Sequence, residues 1–223
     1  TADNKTKVYG SAEVALTYTP NGLVGEDELE NITVTRIAGE NVGEYAITAS
    51  QEDGENPNYT IQFVAGTYEI TPKGITVTAD NKEKVYGDED PELTSTVTGL
   101  VGDDTLDVTL TRVAGENVGT YTISASAEDA NYEITFVDGT YTITAKGITV
   151  TADNKTKVYG EADVELTATV TGLVGDDTLD VTLTRAEGEN VGTYTITATA
   201  GTNEVAGAVE PGRLPHGGRT LST

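Results

Sequence analysis

The nonapeptide Ala-Asp-Asn-Lys-Thr-Lys-Val-Tyr-Gly occupies residues 2–10 and returns unchanged at residues 152–160. Residues 79–87 repeat it with one change, Glu83 for Thr. A catalytic site is written once per fold, so a phrase stated three times marks a building unit. Thr78 aligns with Thr151, 73 residues further on, and most positions from Thr78 to Ser126 are identical to Thr151–Thr199. A period this long describes whole small domains in tandem rather than stacked single motifs. The first repeat is longer by small insertions in EDELENITVTR and QEDGENPNYT, both beside turn-forming residues.

These matches divide the chain into repeat unit 1 over 1–72, unit 2 over 73–145, unit 3 over 146–199, and a non-repeat stretch over 200–223. Unit 1 lacks most of the first strand and unit 3 lacks the C-terminal strands, so only unit 2 is complete. Residues 200–223 carry the sole His216 and no alternation, and read as a disordered tail foreign to the repeats. The linkers Thr71–Gly74 and Thr144–Gly147 are too short to leave slack between units.

Within a unit the apolar period is two. Ile75, Val77 and Ala79 alternate with polar residues, as do Leu106, Val108 and Leu110, then Tyr121, Ile123 and Ala125, then Tyr132, Ile134 and Phe136, then Tyr141, Ile143 and Ala145. That is the pattern of half-buried β-strands, and no helical stripe of useful length interrupts it. Asp138-Gly139, with Ala65-Gly66 in the equivalent place, reads as a hairpin turn. Six or seven short strands per unit make an all-β chain of small antiparallel or mixed sheets. With 36% apolar residues, 6% aromatic and no Trp, Met or Cys, the supply of large core side chains suits small modules better than one deep core.

Charge narrows the partners. A net charge of −24 repels phosphate backbones and anionic lipid, which argues against nucleic acid and membrane surfaces. No apolar run approaches the length that would insert in a bilayer as a helix. The absence of cysteine removes disulfides, thiolate metal sites and thiol nucleophiles.

The segments KGITVTADNKEKVYGDEDPELT, GLVGDDTL, LTRVAGENVGTYTI and NYEITFVDGTYTI together resemble the MBG domain of the YGX type. Tyr86-Gly87-Asp88 matches the YGX element, as do Tyr9-Gly10-Ser11 and Tyr159-Gly160-Glu161. The resemblance implies tandem arrays in large bacterial surface and adhesin-like proteins, hence an extracellular setting at the cell surface. It also implies a small β-rich fold, β-grasp-like without a long helix, with immunoglobulin-like β-sandwich repeats as the alternative. It carries no catalytic residues and no required cofactor.

Several residue groups remain as candidate sites. No histidine lies among the repeats to act as a general base, so the chain reads as non-catalytic. Asp103, Asp104 and Asp107, repeated as Asp176, Asp177 and Asp180, offer hard oxygens for calcium without the EF-hand spacing; the competing reading is solvated loop carboxylates. Lys82, Lys84, Asn81, Asn117 and Asn131 are the raw material of a Lys–Asn isopeptide crosslink, but strand-end lysines more commonly guard edges or snorkel. Arg36, Arg112 and Arg185 read as ion-pair partners of Glu40, Glu116 and Glu189. The tyrosines read as core residues with hydroxyls at the boundary. Gly10, Gly87 and Gly160 mark a turn or bulge where a side chain does not fit.

The function these features suggest is a stalk or spacer that holds a head away from the cell. One alternative is repeats that bind host glycan or mucin by many weak sites. Another is the repeat region of a cell-wall-associated enzyme. The expected partners are neighbouring repeats, and the vacant edge in unit 1 suggests self-association through open sheet edges.

Overall fold

The structure is a computed structural model that describes residues 1–201. The sequence-based readings for residues 202–223, the disordered tail and His216, lie outside the described residues. All the regular structure described is strand, as the alternation predicts, and GLVGDDTL forms a turn rather than a helix.

The first repeat contributes β1 (Lys5–Val8), β2 (Thr33–Arg36), β3 (Gly43–Ser50) and β4 (Gly66–Thr71). The second contributes seven strands: β5 (Lys73–Ala79), β6 (Lys82–Val85), β7 (Ser95–Thr98), β8 (Thr109–Arg112), β9 (Gly119–Ser126), β10 (Tyr132–Val137) and β11 (Gly139–Thr144). The third contributes β12 (Thr149–Ala152), β13 (Ala168–Thr171), β14 (Val181–Arg185) and β15 (Ile196–Ala200).

The chain forms two compact units, and the cut runs through the middle repeat. One comprises Thr1–Lys82, Glu92–Val113 and Thr122–Thr140; the other comprises Glu83–Pro91, Ala114–Tyr121 and the chain from Tyr141 onward. In the first unit, β1, β4, β3 and β2 lie in that order in one sheet, with β1 parallel to β4 and the other pairs antiparallel. A second sheet runs β10-β5-β7, with β10 parallel to β5. Thr109–Arg112 pairs antiparallel with Ile123–Ser126. In the second unit, β6 lies beside β11, where the Tyr86 amide donates to the Thr144 carbonyl at 2.8 Å. β12 pairs with β13 and β14 with β15, both antiparallel.

The strands bury one face each. In the first repeat Ile47, Tyr68 and Ile70 are sealed from solvent, with Ala2 and Ala49 beside them and Val14, Leu16, Val34 and Tyr45 packed around. Ile75, Val77, Ile123, Tyr141 and Ile143 are sealed in the second repeat. Fully burying an aliphatic side chain of this kind contributes about 1.5–3 kcal/mol relative to leaving it exposed. Among the described residues the third repeat has no fully buried apolar side chain. Its sequence supplies no match for Tyr141-Thr-Ile143, the central strand that fills the middle of the other two.

Two local readings change. Asp138-Gly139 is not a hairpin turn: β10 pairs with β5, while β11 belongs to a different sheet. The glycine is required by close approach instead. A Cβ on Gly139 would stand 2.5 Å from the Ala79 carbonyl oxygen, and one on Gly66 would stand 2.5 Å from that of Ala2. The counterpart of β10 in the first repeat, residues 59–64, forms no strand, and Phe63 and Val64 are exposed there.

Gly139→Ala should therefore force two backbones apart. The expected loss is about 1–3 kcal/mol, read as a lower urea midpoint with unchanged slope.

Candidate functional site at the repeat junctions

Six of the nine positions of the repeated nonapeptide have a structural task. Ala2 and Ala79 are buried. The next residue, Asp, clips two threonines of the facing segment. Asp3 accepts from Thr17 Oγ1 at 2.5 Å and Thr19 Oγ1 at 2.7 Å, Asp80 from Thr94 at 2.5 Å and Thr96 at 3.1 Å, and Asp153 from Thr167 at 2.5 Å and Thr169 at 3.1 Å. These hydroxyls hold all three carboxyls below the usual range. Asn4 Oδ1 accepts from the Thr67 amide at 2.8 Å, and Asn81 Oδ1 from the Thr140 amide at 2.7 Å.

The second lysine of the phrase is the largest departure from the sequence reading. Lys7 and Lys84 are buried, not snorkelling. Lys7 Nζ donates to Glu13 and Glu40 at 2.6 Å each, and Lys84 Nζ to Asp90 and Glu116 at 2.5 Å each. Lys157 repeats the arrangement with Asp163 at 2.5 Å and Glu189 at 2.7 Å, but 22% of its side chain stays exposed against 4% for Lys7. Arg36 closes the cluster from the other side, reaching Glu13 at 2.8 Å and Glu40 at 2.7 Å, with its guanidinium 4.8 Å above the Tyr68 ring. Arg185 does the same with Asp163 and Glu189 at 3.1 and 2.8 Å. The expected pairings of Arg36 with Glu40 and of Arg185 with Glu189 are present. The carboxylates raise the lysines above their ordinary values and so keep them protonated. A protonated amine is no nucleophile; Lys84 Nζ is held by Asp90 and Glu116 and Lys82 Nζ donates to Thr94 Oγ1 at 2.8 Å, so among the described residues neither lysine is placed on an asparagine for a Lys–Asn crosslink.

The last two residues, Tyr-Gly, reach into the following repeat. In the first compact unit Tyr9 Oη donates to Asp104 at 3.0 Å, and its ring meets Tyr132 edge-on with centroids 5.4 Å apart. Tyr132 also donates to Asp104, and its oxygen accepts the Val101 amide at 3.0 Å. Gly10 lies at φ +75°, and a Cβ there would collide with Val101 at 2.4 Å. A second contact runs beside this one: the Val42 amide donates to Asn131 Oδ1 at 3.0 Å. In the second compact unit Tyr86 Oη reaches Asp177 at 3.5 Å, and Gly87, at φ +84°, sits against Val174 in the same way. That junction is looser. The third repeat supplies no match for Tyr132, and a cavity of about 210 Å³ lined by Tyr86, Val118, Leu173, Val174 and Asp177 remains. The Asp104 carboxylate raises the Tyr9 phenol, while burial is the main cause for Tyr132 and Tyr86.

The six aspartates suggested for calcium divide between two roles. Asp104 and Asp177 receive tyrosine hydroxyls. Asp103, Asp107, Asp176 and Asp180 are not gathered with them: among the described residues no group of three or more Asp, Glu or His side chains is placed to hold a metal ion. Tyr68, Tyr141 and Tyr132 are buried, whereas Tyr159 is exposed. The sequence reading missed the buried lysine and the junction. The signals were present: an acid stands six residues after that lysine in all three repeats, and Tyr9-Gly10 and Tyr86-Gly87 are each matched by a Leu-Val-Gly segment one repeat later.

The fold and these junctions define an all-β tandem-repeat protein. The family model of the MBG domain (YGX type) matches residues 1–69, 75–142 and 148–206, and the chain belongs to that family. Such repeats are typical of surface proteins. No curated protein matches the chain. Among solved structures it is similar to Sidekick-1 immunoglobulin domains 1–4, at 11% identity and a TM-score of 0.25 over 89% of this chain and 73% of that one, a likeness too low to carry an argument.

Two outcomes follow from the ionic cluster. Intact mass of the purified chain should equal the sequence mass, with no loss from crosslinking. Arg36 and then Lys7 depress the Glu13 carboxyl from 4.5 to about 2. A depressed carboxyl contributes stability that is present above its unfolded value and lost as pH falls through the folded one. Unfolding midpoints should therefore drop between about pH 4.5 and pH 2. The half-exposed carboxylate is screened, which limits the loss to about 1 kcal/mol, and Glu13→Gln should flatten that part of the profile.

Proposed function

We propose that this chain is a non-catalytic spacer from an extracellular, adhesin-like bacterial surface protein, whose repeats hold a functional head away from the cell. The observation that carries this reading is the junction itself. The Tyr-Gly turn of one repeat seats on the Leu-Val-Gly-Asp-Asp loop of the following one, with a tyrosine–aspartate hydrogen bond and a glycine that a side chain would displace. A spacer needs fixed angles between modules, and a keyed contact of this kind supplies them where a flexible linker would not.

The charged groups support the same reading. Lys7, Lys84 and Lys157 are each neutralised by two carboxylates of their own repeat, the first two of these lysines buried, and the aspartates of the nonapeptide bond threonines. Chemistry in this chain would need a base near its operating pH, whereas these shifts push carboxyls down and lysines up, away from neutrality. The remaining excess of acid keeps a long exported chain soluble.

The chain has no cysteine, so Asp53→Cys with Glu128→Cys gives a clean pair of spin-label sites, one in each of the first two repeats. The distance distribution between them should be narrow and should broaden when Tyr9→Ala removes the ring and hydroxyl. A broad distribution in the parent, or no response to Tyr9→Ala, would overturn the spacer reading.

A further inference from the structure

The chain has two phenylalanines, Phe63 and Phe136, and they occupy the same position of the repeat, each followed by a valine. Both are exposed, Phe63 to 39% and Phe136 to 40%. Their surroundings differ. A complete repeat follows Phe63 in the chain, whereas Phe136 has a repeat before it and the strand β5 at its side. Equal exposure in unequal surroundings makes the open phenylalanine a property of the repeat rather than of its neighbours.

Phe136 lies on β10, an edge of the β10-β5-β7 sheet. Pairing with β5 uses one side of this strand of six residues; the other side presents a row of backbone donors and acceptors about 20 Å long. Natural edges are blunted by lysine, proline or a bulge. Tyr-Glu-Ile-Thr-Phe-Val contains neither residue, and its register with β5 is continuous from Tyr132 to Val137. The other edge of the sheet, β7, is shorter and its one apolar side chain is Val97. Beside β10 the loop over 127–130 opens a groove of about 560 Å³, lined by Tyr132, Ile134 and Phe136 from one face of the strand and by Glu128 and Asp129 from the loop.

The groove is acidic. Glu128 and Asp129 have counterparts in Glu52 and Asp53 of the first repeat, Glu133 is the one charge on β10, and no lysine or arginine occurs between Arg112 and Lys146. Lys73 stands opposite Tyr132, but in β5, on the side already paired.

We propose that β10 takes up an extended, basic segment of a partner polypeptide as an added strand. Its apolar side chains cover Ile134 and Phe136, and its lysines or arginines meet Glu128 and Asp129 beside the groove and Glu133 on the other face. Backbone pairing supplies the affinity and alternate side chains the selectivity. A second copy fits poorly, because it brings the same acidic edge and a net charge of −24. Binding of this kind adds a function to a spacer and does not depend on one.

The test is fluorescence anisotropy of a labelled probe with the full chain. The probe is a short peptide of alternating valine and threonine flanked by lysines, compared with the same peptide N-methylated at alternate residues and with glutamates in place of lysines. Phe136→Ser and Phe63→Ser are the variants; both positions are exposed, and circular dichroism checks that each folds as the parent does. The lysine peptide should bind the parent, slow amide exchange over Tyr132–Val137, and bind Phe136→Ser about tenfold more weakly, the usual cost of losing an anchor. Phe63→Ser, altered where no strand is formed, should bind as the parent does. N-methylation should abolish binding. The glutamate peptide should bind about tenfold more weakly at low salt, with the gap closing as salt is added. A lysine peptide that fails to bind would overturn the proposal. Equal binding after N-methylation, or to Phe136→Ser, would do the same, since the surface then attracts a cation only; so would a loss with Phe63→Ser. A parent that gains mass with concentration in sedimentation, while Phe136→Ser stays monomeric, would give the edge to a second copy and overturn it too.

Discussion

An ammonium group taken out of water must bring its counter-charges along, and that requirement organises each repeat. Lys7 is carried inward on β1, which runs parallel to β4 with Lys7 opposite Ile70. Its charge can be tolerated there because Glu13 and Glu40 arrive from two different loops and because Arg36 holds both carboxylates from the outer side. The cluster thereby fixes two loops and a strand against the buried Tyr68, whose hydroxyl accepts the Val14 amide at 3.0 Å. An apolar residue of similar volume would fill the same space, but it would not select those loop positions. Specificity of this kind is what a partly buried ionic group contributes best.

The same short strand then performs the second task. Lysine and tyrosine lie two residues apart, so both could share a strand face, but the glycine that follows turns the chain and swings the ring beyond the sheet. Holding the lysine inside therefore places the tyrosine outside, at the junction. The quality of the junction depends on the receiving repeat. Tyr9 meets a loop completed by Tyr132, whereas Tyr86 meets one without that ring and reaches its aspartate at 3.5 Å rather than 3.0 Å. The central strand matters in the same graded way. The third repeat, with no match for it, leaves Lys157 more exposed than Lys7 although the ion pairs are the same.

On composition alone, a strongly acidic chain with few basic residues reads as surface charge. The structure divides it. A limited set of carboxylates is consumed by lysines, arginines, threonines and tyrosines, and these are the ones repeated from unit to unit. The excess over these pairs leaves the chain strongly acidic, which contributes solubility and mutual repulsion.

The sequence by itself determined the repeat, the strand class and part of the core; Phe136, on the same alternation as the buried Tyr132, is exposed. Period-two alternation is a local property, and Ile75, Val77, Ile123, Tyr141 and Ile143 lie inside because polar residues alternate with them along the strand. Positive-φ glycines after tyrosine were legible for the same reason. What only the tertiary structure decided were the meetings across long stretches of chain: Lys7 with Glu40, Tyr9 with Asp104, and Gly139 with the Ala79 carbonyl. Asp138-Gly139 has the composition of a hairpin turn, and nothing local says that its two strands belong to different sheets. A buried lysine looks like an edge lysine until the carboxylates that neutralise it are brought to it. Local pattern records which way a side chain faces; only the closed fold decides what it faces.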